Sequence, residues 1–316
     1  MTRQSTIYIT GVNGFVGKHL VRQLSAQGIR SVGVGREQSP ATDITDILSD
    51  YYCCDLTNRR EVAKLSFEKA NALISLAGLA NVGDSFNNAD LYGQVNVSVI
   101  DNVCDVYLEK GLKSPIIAVS TGGVYDSNQQ MPLAESAKLC SDSSPYVMSK
   151  IKMEHQIIKH RINGLNIIIA RPFNHFGPDQ NPGFILPDLY YKLLSARKTG
   201  YITVGNLNTR RDYTDVRDVV RAYSLLALAK PEQLKSHIYN ICSGVSHSGE
   251  EILKQLFTEL NIDSGVNLRI NKDLFRRNDP VELIGNNSQI KNDTGWKPAF
   301  YFEKTIVDFV NNAGLR

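Results

Sequence analysis

The run Tyr146-Val147-Met148-Ser149-Lys150 sets a phenol and an ammonium four positions apart. On a helix, positions i and i+4 share a face, so the two groups can meet. A free tyrosine has a pKa near about 10, too high for proton exchange at neutral pH. A fixed cation beside it stabilises the phenolate and lowers that value. The pair therefore reads as a proton-exchanging acid and the charge that tunes it. About 25 residues earlier, the apolar run Ile117-Ala118-Val119 ends in Ser120-Thr121-Gly122-Gly123. A hydroxyl at such a strand end can bond a carbonyl or alcohol while the tyrosine exchanges its proton.

A second chemical motif opens the chain. Gly11, Gly14 and Gly17 stand within Gly11-Val12-Asn13-Gly14-Phe15-Val16-Gly17, between a short apolar strand and a helical pattern. The first glycine permits a tight turn, the second lets the backbone approach a pyrophosphate, and the third lets helix pack on strand. The free N–H groups of the helix start then face the anion. After the next strand comes Gly35-Arg36-Glu37. An acid at that point suits the ribose hydroxyls of NAD, whereas an arginine suits a 2′-phosphate by charge and bidentate geometry. Arg36 favours NADP(H) over NAD(H), with Glu37 next door keeping NAD(H) open.

These residues need a scaffold, and the pattern supplies one. Strands are expected at Thr6–Thr10, Ser31–Val34, Tyr51–Cys54, Ala72–Leu76, Ile116–Val119 and Asn166–Ala170. Helices are expected at Phe15–Ala26, near Asn58–Lys64, and at Asp90–Lys110 and Pro145–Ile162. Alternation of this kind implies an α/β fold with a doubly wound parallel sheet of the Rossmann type. Pro172, Gly177, Pro178, Pro182, Gly183 and Pro187 mark a long loop leaving the sheet. A strand at Ile238–Cys242 returns to it. The division that follows is a dinucleotide domain over residues 1–171, with a return segment at about 213–243. Residues 172–212 and 244–316 form a smaller C-terminal substrate lobe.

Composition sets outer bounds. In 316 residues, 35 Lys and Arg balance 32 Asp and Glu, a net charge of +3. No nucleic-acid partner is expected at that balance. No run of about 18 apolar residues exists, so no membrane span is expected. The first residues lack a signal-peptide pattern. Cys53, Cys54, Cys104, Cys140 and Cys242 are odd in number and show no two-residue spacing. They read as plain thiols in a reducing cytoplasm, and no metal site is assigned.

Taken together, the motifs resemble the extended short-chain dehydrogenases/reductases, the nucleotide-sugar epimerases, dehydratases and reductases. The resemblance covers nearly the whole chain. It implies that Thr121, four residues before Tyr125, is the catalytic hydroxyl, with Tyr146 the acid and Lys150 its tuner and ribose anchor. It implies cofactor contacts at Gly11, Asn13, Gly14, Phe15, Val16, Gly17, Arg36, Asp55, Leu56, Leu76, Ala77, Gly78, Asn96, Tyr146, Lys150 and Pro172. Arg171-Pro172-Phe173-Asn174-His175-Phe176-Gly177-Pro178 and Val204-Gly205-Asn206-Leu207 resemble the branch acting on GDP-linked sugars. Substrate contacts are then implied at Thr121, Asn174, Val204, Arg211, Arg276 and Asp279. The family's 4,6-dehydratases carry a catalytic glutamate where this chain has Gly123. A glycine cannot move a proton at C5, which disfavours dehydration.

The implied reaction is NADPH-dependent reduction of the C4 ketone of a GDP-linked 4-keto-6-deoxysugar. A nucleotide-sugar 4-epimerase is the alternative enzyme, and a non-catalytic dinucleotide sensor the alternative of another class. The family further implies a homodimer through the long helix and the tyrosine-bearing helix.

Overall fold

In a computed structural model, the description covers residues 5–262, 265–275 and 279–314. The first half alternates strand and helix: β1 (Thr6–Thr10), α1 (Phe15–Ala26), β2 (Arg30–Gly35), β3 (Asp50–Cys53), α2 (Arg59–Val62) and β4 (Ala72–Ser75). It continues through α3 (Val82–Ser85), α4 (Ala89–Glu109), β5 (Ile116–Val119), α5 (Pro145–Ile162) and β6 (Ile167–Pro172). The strands form one parallel seven-stranded sheet in the order β10-β6-β5-β4-β1-β2-β3, where β10 is Ile238–Ile241. The expected α/β doubly wound sheet is thus observed.

Side-chain alternation along β1 explains how the sheet is covered. Ile7 and Ile9 point to one face, where Leu20 and Leu24 of α1 meet Val216, Val220 and Tyr223. Tyr8 points to the other, into a cluster with Ile100 and Val103 of α4 and Met153 and Ile157 of α5. Both faces are dry, as a parallel sheet requires.

The second half departs from the expected long loop. It holds β7 (Asn174–Phe176), and α6 (Ile185–Thr199) begins before the loop was expected to end. Pro187 sits in the first turn of α6, where its missing N–H costs no intrahelical bond. Next come β8 (Tyr201–Val204), β9 (Arg210–Asp215) and α7 (Val216–Leu228), which carries Val216, Val220 and Tyr223 onto the sheet beside α1. After β10 the chain forms β11 (Ser246–Ser248), α8 (Gly249–Glu259), β12 (Asn267–Ile270), β13 (Glu282–Leu283), α9 (Ser288–Thr294) and α10 (Phe302–Ala313). β9 pairs with β7, β11 and β13, and β8 pairs with β12. Leu189 and Leu193 of α6, Ile252 and Leu256 of α8, and Ile306 and Phe309 of α10 form a separate core there. All five cysteines are free thiols. Among the described residues no helix is long and apolar enough to cross a membrane.

Candidate active site

The carboxyl ends of β1 to β6 open into a cavity of about 1470 Å³ that also reaches α6, β8 and β9. Single-ligand pockets run to roughly 1,000 Å³, so this one has room for two ligands. Its cofactor-side wall is built from glycines. Gly11 has a φ of +68°, and a Cβ there would lie 2.9 Å from the Ala77 nitrogen. A Cβ on Gly17 would lie 2.5 Å from the Val12 carbonyl oxygen, so only glycine lets α1 start this close to β1. Gly14 caps α1, and Phe15 and Val16 line the cavity. This cradle fits a dinucleotide pyrophosphate.

Around it the expected residues fall into two groups. Arg36, Asp55, Leu56, Leu76, Ala77, Gly78 and Pro172 line the cavity. Arg36 is exposed, and no hydrogen bond or ion pair holds its guanidinium among the described residues. Asn13 and Asn96 each brace the scaffold around the cavity. Asn13 lines the cavity, but its amide donates to Glu37 at 2.9 Å and accepts from the Ala41 nitrogen at 2.8 Å, bracing the loop after β2. Its bond, after that of Glu37's own backbone N–H, holds the Glu37 carboxyl below its ordinary pKa. Asn96 is buried off the cavity wall. It accepts from the Leu79 nitrogen at 2.7 Å and donates to the Ser149 hydroxyl at 2.8 Å, joining the loop after β4 to α5.

The acid–base group sits at the centre. Ser144 caps α5 and Pro145 occupies its first turn, which puts Tyr146 at the helix start beside the end of β5. Tyr146 and Thr121 both line the cavity, and the Thr121 side chain acts on the Tyr146 phenol. The Ser120 hydroxyl instead donates to Glu154 at 2.5 Å, which leaves Thr121 as the hydroxyl facing the tyrosine. Burial pushes the Tyr146 pKa up to about 12, with the Thr121 hydrogen bond opposing it. The expected lowering by Lys150 does not appear. Lys150 is 7% exposed and donates to the Val119 carbonyl at 2.8 Å. Burial lowers its own pKa to about 8, while Glu154 pulls the other way.

At the far end, Asn174, Val204, Arg211 and Asp279 line the cavity. Arg211 and Asp279 form an ion pair with each other. Arg276 lies outside the described residues. Sequence reasoning missed several neighbours. Lys192 of α6 lines this end and makes no ion pair among the described residues. Gln180 lines the wall with a buried Oε1 that has no hydrogen-bond partner among the described residues. Neither carries a sequence signal, since each depends on the path of residues 177–192. His175 lies within 3.1 Å of the Phe173 carbonyl through Nδ1 and parallel to the Phe15 ring, and burial lowers its pKa.

Fold and site together define an NAD(P)-dependent enzyme of the extended short-chain dehydrogenase/reductase type. The sequence pattern of the NAD dependent epimerase/dehydratase family matches residues 7–242, and the chain belongs to that family. It is 27% identical to the GDP-6-deoxy-D-mannose reductase of Pseudomonas aeruginosa over 95% of this chain and 94% of that one. It is 28% identical to the GDP-6-deoxy-D-talose 4-dehydrogenase of Aggregatibacter actinomycetemcomitans over 96% and 95%. The solved structure of a UDP-glucose 4-epimerase from Thermotoga maritima shares the fold, with a TM-score of 0.86, 22% identity, and coverage of 98% of this chain and 99% of that one.

Proposed function

We propose that this enzyme reduces the C4 ketone of a GDP-linked 4-keto-6-deoxysugar, with NADPH as the preferred cofactor. The observation that carries the reading is the convergence of Thr121, Tyr146 and Lys150 on the wall of the cavity that the glycine cradle also lines. With its pyrophosphate in the glycine cradle, a reduced nicotinamide dinucleotide would supply the hydride. Thr121 orients the carbonyl oxygen, and Tyr146 gives its proton to the oxygen as it gains charge. Burial keeps the phenol protonated at neutral pH, so its proton is in place for the oxygen.

Lys150 holds the ribose hydroxyls. Arg211 and Lys192 neutralise the diphosphate, Arg211 being set in place by Asp279. Asn174 and Val204 line the path to the sugar. Binding the distant nucleotide orients the ketone, which lowers the entropy cost of hydride transfer. Gly123, also on the wall, leaves no carboxyl at the dehydratase position. The GDP-sugar assignment draws on the two relatives aligned over nearly the full chain.

The purified protein, mixed with NADPH and a GDP-4-keto-6-deoxysugar, is expected to oxidise one NADPH per sugar. Tyr146→Phe is expected to slow this by about 10²–10⁴-fold. Interconversion of alcohol sugars without net loss of NADPH would show an epimerase instead.

A further inference from the structure

Tyr146, Lys150 and Glu154 stand at four-residue intervals on the sheet-facing side of α5. Glu154 is 2% exposed and lies behind the cavity wall. One of its oxygens accepts from the Ser120 hydroxyl at 2.5 Å and from Arg171 Nε at 2.9 Å. The other accepts from Arg171 Nη2 at 2.6 Å. Arg171 also donates to the Tyr125 hydroxyl at 2.8 Å, and that hydroxyl donates to Asn240 Oδ1 at 2.6 Å. The chain of bonds joins α5 to the ends of β5, β6 and β10.

A buried ion pair by itself is weak evidence of stabilisation, because desolvation offsets its Coulomb gain. Its position beside Lys150 gives this one another use. The Lys150 ammonium has the Val119 carbonyl of β5 at 2.8 Å and the Met153 sulfur at 3.9 Å as its hydrogen-bond partners. The ionisable groups around it are Tyr146 and Glu154 on its own helix and, behind the carboxylate, Arg171 of β6. A Cβ built on Gly78 would lie 3.8 Å from the ammonium nitrogen, so the loop after β4 brings a neutral glycine close to it. Tyr146 is neutral and Arg171 is cationic, so Glu154 is the anion that acts on it.

We propose that Glu154 is a positioning residue for the reaction. It acts through Lys150, as the fixed counter-charge that keeps the ammonium charged in a dry site. It acts through Ser120, as the anchor of the strand end that carries Thr121. Burial already draws the Lys150 pKa down to about 8 with Glu154 opposing the fall, so loss of the anion would lower it further. The inference rests on the reading of Lys150 as the group that holds the dinucleotide.

The test is a fluorescence titration of NADPH into the protein, without sugar, from about pH 6 to about pH 10. In the wild type, affinity is expected to fall with a midpoint near 8 as Lys150 loses its proton. Glu154→Gln keeps the size and removes the charge, and is expected to move that midpoint down by about one unit or more. A midpoint left in place, with binding weakened alike at every pH, would mean a purely structural brace and overturns the proposal. Because Glu154→Gln leaves Arg171 unpaired in the interior, the double variant Glu154→Gln, Arg171→Gln guards against simple misfolding. It is expected to recover thermal stability relative to the single variant, with a midpoint between that variant's and the wild type's because a cation leaves with the anion; a stable double variant beside a single variant whose midpoint has not moved overturns the proposal. A wild type that fails to bind NADPH, or binds it with no titration near 8, removes the Lys150 reading itself before any substitution is made.

Discussion

Burial lowers the Lys150 pKa from 10.5 to about 8, with Glu154 opposing the fall. The folded protein therefore releases this proton more readily than the unfolded chain. Between about pH 8 and about pH 10.5 the unfolded state binds more protons, so stability from this group rises with pH across that window. Below it, the cost of burying the charge is felt in full. Lys150→Met is expected to stabilise the protein at pH 7 by on the order of 1–3 kcal/mol while abolishing turnover. Thermal denaturation at about pH 7 and about pH 10 checks the sign, and the gain should shrink at the higher pH. The Tyr146, Lys150 and Thr121 group was legible in the sequence because local spacing fixes which side chains share a helix face or strand end. The direction of the Tyr146 shift was not legible, because depth of burial decides it. Nor was the pairing of Arg211 with Asp279, which lie far apart in the chain.

At the scale of elements, the glycine turn shows how sequence sets geometry. A Cβ at Gly17 would sit 2.5 Å from the Val12 carbonyl oxygen and 2.6 Å from that of Gly11, and backbone cannot yield as a side-chain tip does. Gly17→Ala is expected to push α1 off β1. It should lower stability by about 1–3 kcal/mol and weaken NADPH binding by about tenfold or more. Chemical denaturation and cofactor titration together measure both effects. The first six strands and the helices α1, α4 and α5 were readable because each carries its own apolar period between turn residues. The start of α6 was not, because Pro187 looks like a helix breaker until its place in the first turn is known. The sequence reading placed α7 only within a return segment. Its apolar residues take their meaning from α1 and the sheet face they cover.

Across the whole molecule, a net charge of +3 hides charges gathered around one cavity. Arg36 stands at one end, Lys150 at the centre, and Lys192 and Arg211 at the other. Asn13 engages Glu37, and no hydrogen bond or ion pair holds the Arg36 guanidinium among the described residues. Arg36→Ala is accordingly expected to weaken NADPH binding by about tenfold and NADH binding by less than about threefold. Equal loss for both cofactors, measured by fluorescence titration, would remove the 2′-phosphate argument. In the proposed reaction, hydride goes from the nicotinamide to C4 of the sugar while the phenol protonates O4. The most direct measurement is NMR of the sugar formed from GDP-4-keto-6-deoxymannose with NADPH deuterated at nicotinamide C4. Deuterium is expected on C4 of a GDP-6-deoxyhexose, from one of the two stereospecifically labelled cofactors. A sugar recovered with its ketone intact, or a product without deuterium at C4 from either cofactor, would contradict it.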